Sequence, residues 1–389
     1  MPSPIIILSP SKTLRSPVQA SHLTSRPDSP WATLQGKPPF FQGDSHALRT
    51  SLASLSPGAL MEYFHISQSL AETVRANLAQ EQPLPAWTLY AGEAFKTLDL
   101  PTLSPGAARL ASQNLGILSA LYGYLGPTDR ILPYRLDLTL PPPPGSSLEK
   151  QSQSLRSFWQ PRITQHLNDL VVQTRSPLVI SLASQEFHSL INPQGLSVPL
   201  LQIDFLQAGG RKISARAKQA RGLFARWYLQ QAGDSGTEPA IPQTTHTPTR
   251  PGGTRDARIA PCLSETRDAP IAPVPQGLPE ILDLILAFRE TGYQPLEVRS
   301  LPGQQTHPTH QPEQSCPSSL ACTSGNQNRP GTTGQDSSRT GGPRPRSRVA
   351  DNSIPAGPRT DALSRLKAEL LQGLQPGREG SLVFIQEEV

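Results

Sequence analysis

The chain has 389 residues, 43 of them proline, and a formal charge of +5. At roughly 100–200 residues per domain the length allows two or three domains, but after Ala232, where 20 of the prolines lie, few large apolar residues remain to offset the entropy of ordering a chain. One folded body with long insertions is therefore expected, and so modest a net charge permits a polyanionic partner without establishing one.

Pro4-Ile5-Ile6-Ile7-Leu8 is a continuous apolar, β-branched run closed by Ser9-Pro10. It reads as a buried strand that delivers Ser11, Lys12 and Thr13 to its carboxyl end. The run is too short for a signal peptide, and no apolar stretch reaches the roughly 18 residues needed to span a bilayer, so no membrane association and a cytoplasmic location are expected. Ser56-Pro57 supplies a cap and first turn for a helix through Phe64, and Ser67 caps a second over Gln68 to Leu78. Two short helices across so tight a turn form a helix-hairpin-helix candidate, which would present main-chain N–H groups to a phosphate. Its turn lacks glycine and its nearby cation is Arg75, so two ordinary packed helices are the plainer reading.

From Leu118 to Asp137 the chain gathers Tyr122, Tyr124 and Tyr134, backbone breaks at Gly123, Gly126 and Pro127, and the charges of Asp129, Arg130 and Arg135. Such a concentration suggests a site. Leu178 to Leu182 reads as a second strand leading into Ala183-Ser184-Gln185-Glu186, and Pro199 to Phe205 as a third, which together imply a mixed sheet flanked by helices. Between Phe205 and Gly233 there is no Asp or Glu, whereas Arg211, Lys212, Arg216, Lys218, Arg221 and Arg226 all fall there. Ala217, Ala220, Phe224, Trp227 and Tyr228 recur at helical spacing, with Arg221 on the edge of that stripe. A guanidinium so placed must be paired, with Glu186, Asp129 or a bound anion.

After Ala232 the composition turns to Pro, Thr, Ser, Gly and Arg, with a near-repeat of 254–261 in 266–273 that is too short for a solenoid. Gly277 to Phe288 is an amphipathic helix expected to rejoin the core, Asp361 to Leu374 another helix, and Ser381 to Ile385 a final strand expected to add beside Ile5 to Leu8. The division is a core over 1–232, a disordered insert over 233–276, a core helix within 277–295, a second disordered insert over 296–360, and a returning helix and strand over 361–389. The fold class is α+β, a single domain. All three cysteines, Cys262, Cys316 and Cys322, lie in the insert regions, so no disulfide framework for the core is expected and a reducing compartment fits.

Lys12-Thr13 follows a strand, yet the glycines of a phosphate loop are missing, which speaks against nucleotide hydrolysis. The three tyrosines either fill the core or stack on bases. Arg135 either clamps a phosphate or carboxylate, or holds Asp137 or Glu186 structurally. Ser184, Glu186 and His188 alternate to one face if the segment is a strand, and no nucleophile elbow accompanies them. His307, His310, Cys316 and Cys322 offer metal-ligand types, but in a tract with too little apolar sequence to enclose a metal. No metal and no cofactor are expected.

Four motifs in order, Ile6 to Leu14, Leu118 to Asp137, Ser181 to Phe187 and Lys218 to Leu223, resemble those of the bacterial YaaA-like peroxide-stress protein family, over about residues 1–230 with weaker likeness beyond. Phe187 stands where relatives look to have Tyr. The resemblance implies survival of hydroperoxide stress, binding of double-stranded DNA and a lowering of free intracellular iron. It directs attention to a basic cleft in which Lys12, Arg135, Arg216, Lys218, Arg221 and Arg226 contact the anion, with Ser11, Thr13, Tyr122, Asp129, Tyr134 and Glu186 in support. The alternative is an enzyme acting on a small phosphorylated or carboxylated metabolite in the same cleft. No obligate protein partner is expected, and the chain reads as a monomer.

Overall fold

The computed structural model describes residues 2–151, 153–207, 213–234, 276–288, 293–299 and 359–386. The strands in chain order are β1 (Ile5–Leu8), β2 (Leu84–Pro85), β3 (Leu115–Ser119), β4 (Gly123–Leu125), β5 (Arg130–Ile131), β6 (Val179–Ser181), β7 (Leu200–Leu206), β8 (Tyr293–Arg299) and β9 (Glu379–Gln386). The helices are α1 (Pro17–Thr24), α2 (Gln42–Ala53), α3 (Pro57–Phe64), α4 (Gln68–Leu78), α5 (Ala86–Leu89), α6 (Glu93–Leu98), α7 (Pro105–Asn114), α8 (Ser147–Lys150), α9 (Leu155–Thr174), α10 (Gln185–His188), α11 (Ser214–Asp234), α12 (Leu278–Leu286) and α13 (Arg359–Gly373).

The β-branched run of β1 is buried at every residue and forms the interior of a mixed sheet ordered β4-β3-β1-β6-β7-β9-β8. β3 and β6 pair with β1 in parallel, β7 with β6 and β9 with β7 likewise, while β4 and β8 close the two edges antiparallel. Continuous apolar strands suit the parallel part, because helices cover both of its faces. β2 and β5 form a separate two-stranded ladder. The fold is α+β with a mixed sheet flanked by helices, as the sequence implies.

Three expectations change. The strand at 379–386 adds to β7 and β8 rather than to β1, whose two edges are already taken by β3 and β6. The segment 185–188 is a turn of helix starting after Ser184, so Ser184, Glu186 and His188 do not share one face of a strand. The boundary drawn at 296 falls inside β8, which continues to Arg299 and pairs with β9, and helix α13 begins at Arg359. Helices α3 and α4 are the two short helices foreseen, each capped by a serine hydroxyl (Ser56 to Ala59 N–H, Ser67 to Leu70 N–H), with His65 in the left-handed corner at φ 51°. That geometry is a packed helical pair, and nothing in it identifies a nucleic-acid hairpin. The stretches 235–275 and 300–358, with Cys262, His307, His310, Cys316 and Cys322, lie outside the described residues.

The described residues up to Arg299 and from Asp361 onward belong to one compact unit. An aromatic cluster ties its distant segments together. Phe205 of β7 stacks on Phe384 of β9 at 5.5 Å, and Phe224 of α11 meets Phe288 at 5.1 Å, edge to face. Such pairs add to the burial of large apolar area.

Helix α11 lies close against α6. A Cβ built on Gly222 would collide with the carbonyl oxygen of Ala94 and with Thr97 Oγ1, and Thr97 Oγ1 donates to the Gln219 carbonyl at 2.8 Å. Gly222 is what lets the two backbones approach. In an unpacked helix Gly→Ala gains about 0.5–1 kcal/mol from propensity. Here Gly222→Ala should instead lower stability by about 1–3 kcal/mol through overpacking, read as a drop in the denaturant midpoint. A gain in stability would show that the crossing is looser than this.

Candidate functional site

The carboxyl ends of β1 and β6 meet at a cleft of about 330 Å³. From β1 the chain crosses to β3 on one side, and from β6 to β7 on the other. Open sheets bind ligands at such a divergence, where no crossover covers the strand ends. The floor is Leu8, Ser9, Leu182 and Ser184. Ser9 Oγ accepts the Ser184 N–H at 2.8 Å and lies 3.2 Å from Ser184 Oγ, which locks the two strand ends in register.

The loop after β1 forms one wall. Ser11 Oγ accepts the Thr13 N–H at 3.0 Å and lies 2.9 Å from the Thr13 carbonyl, a small turn that leaves Lys12 projecting outward with 69% of its side chain exposed. A Cβ on Gly92 would collide with Ser11 Oγ, so the two loops touch closely there. Lys12 Nζ pairs with Asp137 Oδ1 at 2.9 Å, and Arg135 reaches the other oxygen of Asp137 at 3.9 Å. Tyr134 completes this side, its hydroxyl 2.8 Å from both Tyr90 Oη and Ser119 Oγ.

A further part of the lining comes from α6 and α11, which supply Glu93, Lys96, Lys218 and Arg221. Arg221 is buried, and its Nη2 donates to Asp204 of β7 at 3.3 Å. Burial lowers its pKa from the ordinary arginine value, with Asp204 acting in the opposite direction. Glu93 lies below the usual carboxylate range because Lys96 and then Gln219 donate hydrogen bonds to it, with Lys218 adding a smaller attraction. Glu186 and Phe187 of α10 close the remaining side.

The fold therefore brings together Ser11, Lys12, Thr13, Tyr134, Arg135, Glu186, Lys218 and Arg221. It places others elsewhere. Arg226 donates to the carbonyls of Leu98 and Asp99 at 3.1 and 2.9 Å, capping the end of α6. Arg216 is exposed on α11 but does not line the cleft, and Arg211 and Lys212 lie outside the described residues. Tyr122 is buried, with its hydroxyl donating to the Leu132 carbonyl and accepting the Leu132 N–H. Asp129 is also buried away from the cleft.

The protein partner of Arg221 is Asp204, which was not among the candidates Glu186, Asp129 or a bound anion that the sequence suggested. The signal was an aspartate inside the apolar run of β7, where a carboxylate requires a counter-charge. Glu93, Lys96 and Gly92 carried no comparable mark. Among the described residues, no group of three or more His, Cys, Asp or Glu is placed to hold a metal, and no helix is long and apolar enough to cross a membrane.

The protein is α+β, with a cleft lined by more basic than acidic side chains at the switch point of its mixed sheet. The family model for the peroxide stress protein YaaA matches residues 5–238, and the chain belongs to that family. It is 33% identical over 238 residues to a UPF0246 protein of Hahella chejuensis, covering 58% of this chain and 86% of that one. It is also 30% identical over 239 residues to a UPF0246 protein of Polynucleobacter necessarius, covering 58% and 85%. A UPF0246 protein of Legionella pneumophila strain Paris is 35% identical over 155 residues, 39% of this chain and 59% of its own. Membership associates the chain with peroxide stress.

Asp129 makes a pH signature of its own. Its Oδ2 accepts the Gly126 N–H at 2.9 Å and Lys37 Nζ lies 3.8 Å from Oδ1. Burial pushes the carboxyl up to about 6, opposed by Lys37 and the Gly126 N–H. Because the folded value lies above the unfolded one, the unfolded chain releases its proton first. The contribution of this group is complete below the unfolded pKa and is lost as pH rises through the folded one. Relative to Asp129→Asn, the wild type should lose on the order of 3 kcal/mol between about pH 4 and pH 6 and then level off. Denaturant titrations at a series of pH values check this, and a difference that stays flat would mean the carboxyl is not desolvated.

Proposed function

We propose that the chain acts in peroxide stress by binding double-stranded DNA at the rim of this cleft, shielding it from hydroxyl-radical damage. The lowering of free iron that the family resemblance implies would act toward the same end. The observation that carries the reading is the convergence of Lys12, Arg135, Lys218 and Arg221 from three separate stretches of sequence on one opening. Five basic and three acidic side chains line it, which leaves the opening net positive. A duplex presents a charge about every 1.7 Å along its axis, so outward-facing lysines at such a rim meet phosphates readily. Lys12 and Lys218 are the exposed pair, Arg216 an outer contact on the same helix, and Arg226 is engaged with α6. The α3–α4 pair with exposed Arg75 would be a second backbone contact.

A second reading, an enzyme acting on a small phosphorylated or carboxylated metabolite, is favoured by the size of the cleft, which falls at the lower end of the roughly 300–1,000 Å³ typical of small-molecule sites. There Arg135 and Arg221 would hold the anion and Glu186 would serve as acid or base.

Salt titration of duplex binding tests the first reading. Each phosphate contact adds about 0.9 to the slope of log K against log salt. Lys218→Ala should flatten the slope by about that amount, and Lys12→Ala with Lys218→Ala by about twice it. An unchanged slope and affinity in the double variant would remove the cleft rim from DNA binding.

A further inference from the structure

We infer that the interior of the cleft seats a single phosphate monoester, the end group of a nucleotide-sized molecule, and that the Tyr134 hydroxyl donates a hydrogen bond to it. The inference rests on the anion-binding reading of the site and names what enters it.

The first support is two guanidinium groups with donors to spare. Arg221 lines the cleft with 7% of its side chain exposed, and its Nε finds no acceptor although Nη2 reaches Asp204. Arg135 lines the same space, its Nε is likewise buried without an acceptor, and its ion pair with Asp137 is long at 3.9 Å. Buried donors are nearly always satisfied in folded proteins, and a guanidinium fork matches the oxygens of a phosphate or carboxylate.

The second support is the direction of the hydrogen bonds at Tyr134. Ser119 Oγ accepts the N–H groups of Leu121 and Tyr122 at 3.2 and 3.0 Å, which occupies both of its lone pairs. Its own hydrogen is therefore left for the tyrosine hydroxyls, of which Tyr134 Oη is 2.8 Å away. Tyr134 also shares a 2.8 Å bond with Tyr90, whose side chain is wholly buried. If Tyr134 donated to Tyr90, the Tyr90 hydrogen would be stranded in the core. With Tyr90 donating instead, Tyr134 accepts twice and its own hydrogen is left to donate, and the residue lines the cleft. Burial pushes the Tyr134 phenol up to about 12, so it keeps that proton at neutral pH.

Donors from Arg135, Arg221, Tyr134 and the exposed Lys218 surround one volume. A tetrahedral phosphate offers three oxygens to several directions at once, whereas a carboxylate offers two in a plane to one fork. A diester inside a duplex is flanked by its own strand and cannot enter so small a space, but a terminal monoester can. The same chemistry is presented by a phosphorylated DNA end and by a free mononucleotide.

The full chain should be titrated at low salt with a deoxynucleoside 5′-monophosphate, the matching nucleoside, and a short duplex bearing either 5′-phosphate or 5′-hydroxyl ends. The monophosphate should bind and the nucleoside should not. Tyr134→Phe should weaken monophosphate binding about tenfold, the loss of one hydrogen bond to a charged group, while Tyr90→Phe, which spares the donor, should change it less than about threefold. Arg135→Gln provides an independent loss. Preference for phosphorylated duplex ends would assign the DNA source, and binding of the monophosphate without such a preference the free nucleotide; either supports the seat. Equal binding by wild type and Tyr134→Phe, or no binding of any phosphorylated probe beyond its unphosphorylated counterpart, overturns it. Duplex binding that ignores end phosphates, with no binding of the monophosphate, removes the seat and keeps the DNA reading. Monophosphate binding without duplex binding does the reverse.

Discussion

Neither β1 nor β6 has a free edge, and the crossovers that leave them run to opposite sides of the sheet. Their carboxyl ends are therefore fixed side by side while the chain itself vacates the crevice between them. The bond from Ser184 N–H to Ser9 Oγ spans that crevice and sets its width. The turn that projects Lys12, the helical turn that carries Glu186 and the loop that carries Gly92 are all placed by reference to those two strand ends. A shift of register at β1 would move every one of these groups, because a slip of one residue exchanges the two faces of a strand.

The electrostatics of the cleft depend on shared acids. Asp137 serves both Lys12 and Arg135, and Asp204 accompanies Arg221 into the interior. Without such partners, a buried guanidinium would pay its desolvation uncompensated. The acids do not neutralise the walls completely, and they leave some guanidinium donors unpaired. The result is an opening lined by five basic and three acidic side chains.

Much of this was legible in the sequence, though unevenly. Continuous apolar runs identified β1, β6 and β7, serine caps located α3 and α4, and the acid-free stretch around Arg221 marked α11. The grouping of Lys12, Arg135, Lys218 and Arg221 followed from motif resemblance, since residues so distant in sequence carry no local signal of proximity. Asp204 was not legible as a partner of Arg221 because that pairing depends on β7 lying against α11. The position of β9 was missed because an apolar strand specifies that it is buried, not which edge it joins. The helical turn at 185–188 carries no sequence signal because four residues are too few for a helical period to declare itself.

β9 is hydrogen-bonded along its length to β7, yet the two are separated by the whole span from 207 to 378. Translation delivers β7 long before its partner exists, so until then β7 has an unpaired edge of buried, apolar residues, the kind of edge that invites pairing with another chain. The equilibrium cost of so wide a closure is small, since each doubling of loop length adds only about 0.6 kcal/mol. The cost is kinetic, because non-local pairing slows folding. Growth of the sequence between these strands is therefore easily accommodated in the finished molecule, and its burden falls on the nascent one.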